Sequence, residues 1–252
     1  MLKPGCFKVE PIPFLFMVVI FSTLFSCAAY SAKGSVPVAD IDPFIKEVIA
    51  DHIAQIGESK QLIFATNRDP SSSVVTIHAV EKENGIWHLA FPPFTGSIGE
   101  MGFAAIEDKR EGDGKSPTGI FPLGMAFGYD PSVETRMPYR QATDDDFWVD
   151  DAHSEDYNKW VKGKPNAISW EKMKRDDDQY KYGVVIEYNT HPIVKGKGSA
   201  IFLHEWNDGD STLGCVAMSE EMILKILRWL DPAKKPMIIM GTESELRAMR
   251  SR

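Results

Sequence analysis

One stretch of this 252-residue chain, residues 199–218, gathers residue types suited to acyl transfer: the run Ile201-Phe202-Leu203 delivers His204, and a polar loop returns Cys215. A free thiol ionises near pH ~8.5 and is a poor nucleophile at neutral pH, so a working cysteine needs an imidazole beside it to take its proton. His204 is the histidine nearest to Cys215 in sequence, and the ten residues between them are enough chain to fold the thiol back beside the ring. Gly214 precedes the thiol, where the missing side chain lets the backbone turn sharply. The amides of Leu213, Gly214 and Cys215 are then candidates for an oxyanion hole, which needs N–H groups aimed at the developing negative charge. Two plainer readings stand beside this one: Cys215 as a small buried hydrophobe, and Leu213-Gly214 as an ordinary turn into a strand over Val216–Met218. His78 and His88 fall in alternating strand patterns, His52 on a helix and His153 and His191 in polar loops, so none of the five is assigned a catalytic role.

The elements that must position these residues read as mostly β. Short β-rich runs at residues 61–65, 74–80, 86–91, 121–124, 184–188, 201–204 and 237–240 are separated by turn residues. Asn84-Gly85 has the composition of a two-residue hairpin turn. A helix is expected from Pro43 to the stop at Gly57, capped by Asp42, with Phe44, Ile45, Val48, Ile49, Ile53 and Ile56 on one face. A second helix over residues 219–230 presents Met222, Ile223, Ile226, Leu227 and Leu230. Residues 125–181 are rich in Asp, Tyr, Trp and Asn with little periodicity, the pattern of a functional insertion or cap on one catalytic domain.

Composition narrows the class. With 43% hydrophobic and 25% charged residues and a net charge of −8, this is ordinary globular composition. The 28 Lys+Arg against 36 Asp+Glu offer no basic surface for nucleic acid. The acidic runs at 144–146 and 176–178 read as solvated loops, because consecutive residues do not converge on one ion, so no metal and no cofactor is expected. Lys3 and Lys8 precede an apolar stretch at 14–25 and a small-residue run ending at Ala32, the layout of a secretory signal peptide. The stretch is shorter than the ~20 residues that span a bilayer. Cleavage after Ser31 fits Ala29 and Ser31; Leu24-Phe25-Ser26-Cys27 is a second possibility, a lipobox with Cys27 acylated. The expected organisation is a signal peptide at 1–31, a lead and helix at 32–60 and a catalytic domain at 61–252. The mature chain keeps Cys215 as its one thiol, so no internal disulfide can form.

The strand-borne His204 followed by Ser211-Thr212-Leu213-Gly214-Cys215-Val216 resembles the YkuD-type L,D-transpeptidase catalytic domain, the cysteine enzymes of bacterial peptidoglycan. Ser116-Pro117-Thr118-Gly119-Ile120-Phe121 resembles the same family's Pro-Thr-Gly-x-Phe segment. Residues 148–151, Tyr157-Asn158 and residues 184–189 look like one secreted branch of it, and the likeness extends over roughly residues 63–241. The resemblance implies a YkuD-like β-sandwich with a few helices, in which Cys215 is the nucleophile, His204 the base and the Glu205 backbone carbonyl the orienter of the imidazole. It further implies attack on the third, L-centred residue of a tetrapeptide stem, release of D-Ala, a thioester, and a 3→3 cross-link on transfer to an amine. Trp206, Ser211, Thr212, Tyr139, Arg140 and Trp148 are the expected stem-peptide contacts; the aromatics among them could equally pack the long segment onto the sheet. Two residues depart from the commonest motif, Leu213 standing for a His and Ala217 for an Arg or Asn, and the His-to-Cys interval is short. Backbone amides survive such changes, so substrate preference is affected more than chemistry.

The expected partner is therefore the peptidoglycan stem peptide, met by an exported monomer in the periplasm or cell envelope. An L,D-carboxypeptidase or amidase would use the same chemistry with another acceptor. A catalytically silent peptidoglycan-binding module and a thiol redox sensor are the readings from other classes.

Overall fold

Runs of β-branched and aromatic residues broken by Gly, Asn and Pro become thirteen strands in a computed structural model of the chain, which describes residues 41–205 and 210–249. The signal peptide, Cys27 and Trp206 lie outside the described residues. The strands are β1 (Gln61–Asn67), β2 (Val74–Glu83), β3 (Ile86–Leu89), β4 (Phe94–Ser97), β5 (Gly119–Gly128), β6 (Tyr139–Gln141) and β7 (Asp146–Val149), followed by β8 (Trp160–Lys162), β9 (Trp170–Lys172), β10 (Tyr182–Ile186), β11 (Phe202–Glu205), β12 (Val216–Met218) and β13 (Met237–Thr242). Helices α1 (Pro43–Asp51), α2 (Ile53–Ile56), α3 (Glu220–Trp229) and α4 (Glu243–Ala248) accompany them.

The main sheet runs β1-β13-β5-β10-β11-β12-β4-β2, and β2 also pairs with β1, so the sheet closes on itself as a flattened barrel. The mostly-β expectation holds. Its interior is filled by Ile63, Ile77, Val184, Leu203, Val216 and Ile238, against which α3 lays Ile223, Ile226 and Leu227. Because side chains alternate across a strand, Leu203 points into this core while Phe202 and His204 point to the other face. That outer face forms a second cluster, in which Phe127, Val185, Phe202 and Cys215 meet Trp148, Met173 and Tyr180 from the 125–181 segment.

That segment is more regular than its composition suggests. Residues 125–128 finish β5, β6 pairs with β5, and β8-β7-β9 form a separate three-stranded sheet. Strands of three or four residues are too short to show periodicity, which is why sequence alone reads the region as irregular.

Asp42 caps α1, its carboxylate accepting from the Phe44 amide at 2.8 Å, and Gly57 ends the helical region at φ 57°. The expected continuous helix breaks at His52, however. The break turns Ile53 out to 50% exposure and buries His52, whose Nε2 meets the Leu246 carbonyl at 3.0 Å. Asn84 and Gly85 both take positive φ, 50° and 85°, as the hairpin joining β2 to β3 requires.

Candidate active site

Strands β11 and β12 run parallel, with Leu203 beside Val216 and His204 beside Ala217. Cys215 immediately precedes β12 on the same face as His204, one step diagonal to it. Both side chains are buried and both line one cavity of about 280 Å³. Gly183 faces His204 from β10. A Cβ there would stand 2.3 Å from the Phe127 ring, so only glycine leaves that ring room on the cap-facing side.

The turn that delivers Cys215 is braced by two hydroxyls. Thr212 Oγ1 donates to the Cys215 carbonyl at 2.8 Å and accepts from the Gly214 amide at 3.1 Å. Ser116, in the Ser-Pro-Thr-Gly run, donates its hydroxyl to the Gly214 carbonyl at 2.7 Å while accepting from the Gly99 amide at 3.0 Å. Gly214 sits at φ 153°, and a Cβ there would come within 3.0 Å of the Lys115 carbonyl oxygen.

The sulfur's immediate partner is the Ala200 carbonyl, 3.2 Å away. Ala200 holds φ 54°, and its amide donates to Asn158 Oδ1 at 3.1 Å. The same Asn158 oxygen accepts from Trp148 Nε1 at 2.9 Å, and its Nδ2 donates to the Tyr188 and Asn189 carbonyls at 3.2 and 2.8 Å. Beside it, Glu111 accepts from Tyr157 and Ser199. The cap loops thus set the backbone on which the thiol rests.

His204 Nδ1 lies 2.7 Å from the Glu205 carbonyl. A carbonyl only accepts, so Nδ1 carries the ring proton and Nε2 is the basic atom. Burial pushes the His204 pKa down to about 4, against the opposing pull of the Glu205 and Gln179 carbonyls. Burial, and next the Glu171 carboxylate, pushes the Cys215 thiol up to about 12. Burial thus favours the neutral thiol and the neutral imidazole.

Of the residues singled out in the sequence, Cys215, His204, Leu213, Gly214, Ser211 and Thr212 line this cavity. Leu213 is 76% exposed. Two expectations change in detail. The Gly214 amide is bonded inside the turn, which leaves those of Leu213 and Cys215 as the candidates for an oxyanion hole, and Thr212 holds the turn together. Tyr139, Arg140 and Trp148 are absent from the cavity lining because each is engaged elsewhere. The Tyr139 hydroxyl donates to the Asp130 carbonyl at 2.6 Å, Arg140 bonds Asp146 at 3.0 Å and lies over the Trp160 ring, and Trp148 is buried on Asn158. In their place the cavity wall holds Glu111, Asp150, Glu171, Arg175, Gln179 and Tyr180. Sequence reasoning passed over these because polar residues in a segment without periodicity announce no position. Among the described residues, no group of three or more His, Cys, Asp or Glu side chains is arranged to hold a metal ion, and no helix is long and apolar enough to cross a membrane.

A thiol, an imidazole with an oriented Nε2 and a sharply turned backbone in one cavity are what cysteine-based acyl transfer requires. The sequence pattern of YkuD, the L,D-transpeptidase catalytic domain, matches residues 69–239, and the chain belongs to that family. The family is that of L,D-transpeptidase catalytic domains. Among solved structures, the chain is similar to the helical cell shape determining protein Pgp2 from Campylobacter jejuni, with 16% identity, a TM-score of 0.39, and coverage of 75% of this chain and 54% of that one. It thus spans about half the length of that protein. No curated protein matches it.

Proposed function

We propose that this protein is an exported peptidoglycan L,D-transpeptidase in which Cys215 attacks the carbonyl of the L-centred third residue of a tetrapeptide stem. The thiol proton passes to His204 Nε2 as the S–C bond forms, and the amides of Leu213 and Cys215 receive the charge that develops on oxygen. Collapse breaks the amide bond, and His204 returns the proton to the departing D-Ala amine. A thioester remains on Cys215. An amine of a neighbouring stem then attacks it, His204 takes the amine proton, and the sulfur leaves and recovers that proton as a thiol, forming a 3→3 cross-link. The observation that carries this reading is the shared cavity of His204, with Nδ1 fixed by Glu205, and Cys215, seated on the Ala200 carbonyl.

The test is intact-mass spectrometry of the purified protein, wild type and Cys215→Ala, incubated with a tetrapeptide muropeptide. A Cys215-dependent acyl adduct with release of D-Ala and a cross-linked dimer is expected. Hydrolysed tripeptide alone would assign a carboxypeptidase, and identical behaviour of the two proteins would overturn acyl transfer altogether.

A further inference from the structure

Cys215 and Glu171 share one phenol. The Tyr180 hydroxyl donates to Glu171 Oε2, and Tyr180 packs with Cys215 in the outer-face cluster and lines the same cavity. The Tyr180 ring is held edge-on to His204, Phe202 and Phe127, with centroids 5.2, 5.5 and 6.0 Å away, so the hydroxyl has little freedom to move. A phenol has a single proton to donate. Once Cys215 loses its own proton, the Glu171 carboxylate and the sulfur compete for that one donor, and the carboxylate charge opposes a second anion close by.

We propose that Glu171, acting through Tyr180, is a positioning residue that holds Cys215 as a thiol until a cationic group of the substrate enters the cavity and pairs with the carboxylate. The inference rests on Cys215 being the nucleophile of the reaction proposed above. Pairing would turn the Tyr180 proton toward the sulfur while the thiol proton moves to His204 Nε2. Thiol and imidazole become thiolate and imidazolium, and no atom enters or leaves.

The cavity is built for such a cation. Glu111 and Asp150 line it together with Glu171, and Asp150 Oδ1 is buried without a hydrogen-bond partner among the described residues. The two basic side chains of the wall are engaged. Lys109 Nζ donates to Asp113 and to the Arg110 carbonyl, each at 2.7 Å, and Arg175 makes two bonds to Asp177 while its guanidinium lies 5.2 Å from the Tyr180 ring centre. An ammonium group therefore meets three carboxylates, one of them the acceptor of the Tyr180 phenol. The ionisable groups acting on the thiol are Glu171, Tyr180 and Arg175, with His204 in the same cavity; those acting on Glu171 are Tyr180, Asp150, Arg175 and Glu111.

The test compares wild type, Glu171→Gln and Tyr180→Phe in the full-length protein, first by the rate of iodoacetamide alkylation of Cys215 against pH, read by intact mass. Removing the carboxylate charge should move the alkylation midpoint down by about one pH unit or more, while Tyr180→Phe, which deletes the donor and keeps the ring, should move it up. The second arm measures thioester formation with the tripeptide γ-D-Glu-L-Lys-D-Ala and its Nε-acetyl-lysine counterpart. Wild type should favour the free ammonium by about tenfold, the equivalent of one pKa unit, and Glu171→Gln should reduce that preference to about twofold or less. An unmoved alkylation midpoint in Glu171→Gln, or an undiminished ammonium preference, would overturn the proposal. If neither tripeptide acylated the wild type, the transpeptidase reading would fail, and the alkylation arm alone would decide: a downward shift in Glu171→Gln upholds Glu171 control of the thiol, and no shift sinks it.

Discussion

Replacing Asn158 by Ala removes a side chain that ties the cap to the Ala200 backbone beside Cys215. Asn158 is buried, and its amide makes four hydrogen bonds, to Trp148 Nε1, the Ala200 amide and the carbonyls of Tyr188 and Asn189. Truncation leaves two buried donors, the Trp148 indole and the Ala200 amide, without their acceptor, at about 1–3 kcal/mol each. Asn158 also occupies φ 57°, a left-handed conformation that costs Ala more than Asn, which adds about 1 kcal/mol. The sum is about 3–7 kcal/mol of destabilisation, to be read from urea unfolding monitored by tryptophan fluorescence. Asn158→Gly separates the two contributions: it loses the same hydrogen bonds without the left-handed strain, so it should be the more stable variant by about 1 kcal/mol. Since the Ala200 carbonyl is the partner of the Cys215 sulfur, both variants should also acylate more slowly at temperatures where they remain folded. An Asn158→Ala protein within about 1 kcal/mol of wild type would show that water replaces the lost amide and that the cap does not fix this backbone.

Two further outcomes follow from the packing around His204. The buried imidazole is held near pKa 4, against a free value of 6.5. The unfolded chain therefore takes up a proton as pH falls through 6.5, whereas the folded chain resists until about 4. The stability linked to this residue is complete above 6.5 and is lost between 6.5 and 4, by about 3 kcal/mol. Glu171 and Glu205, whose carboxyls burial pushes up, act in the opposite sense, so the check is the difference in urea stability between wild type and His204→Gln from pH 7 to 4, which should narrow as the pH drops. A constant difference would mean that the ring is not buried as a neutral base. Gly183→Ala places a methyl 2.3 Å from the Phe127 ring, and overpacking of this kind costs about 1–3 kcal/mol. Phe127 packs edge-on to both Phe202 and Tyr180, so the variant should lower the urea midpoint and change the iodoacetamide rate at Cys215 together.

Local signals in the sequence were the readable ones. Val216–Met218 is a strand where the alternating run ends the polar loop, Asn84-Gly85 turns with both φ positive, and Asp42 caps its helix, because each depends on neighbours a few residues away. The convergence of His204 and Cys215 was open to inference for a similar reason: ten residues of loop can return a thiol to a neighbouring strand, and a parallel β11–β12 pair is what that return produces. The supports of the site obey no such rule. Ser116 reaches the Gly214 carbonyl across 98 positions and Asn158 reaches the Ala200 amide across 42. Tyr180 is buried on Phe127 and Phe202 by a register that only the folded sheet defines. The candidate oxyanion hole shows the same limit at the shortest range. Three consecutive amides look equivalent in sequence, yet a hydroxyl two residues upstream bonds one of them, and whether Thr212 turns inward or outward is decided by the bracing of the loop. Of the expected contacts in the long segment, Trp148 packs with Phe127, Tyr180 and Phe202 on the outer face of β5, β10 and β11, and burial of that face raises the pKa of the thiol and lowers that of the imidazole.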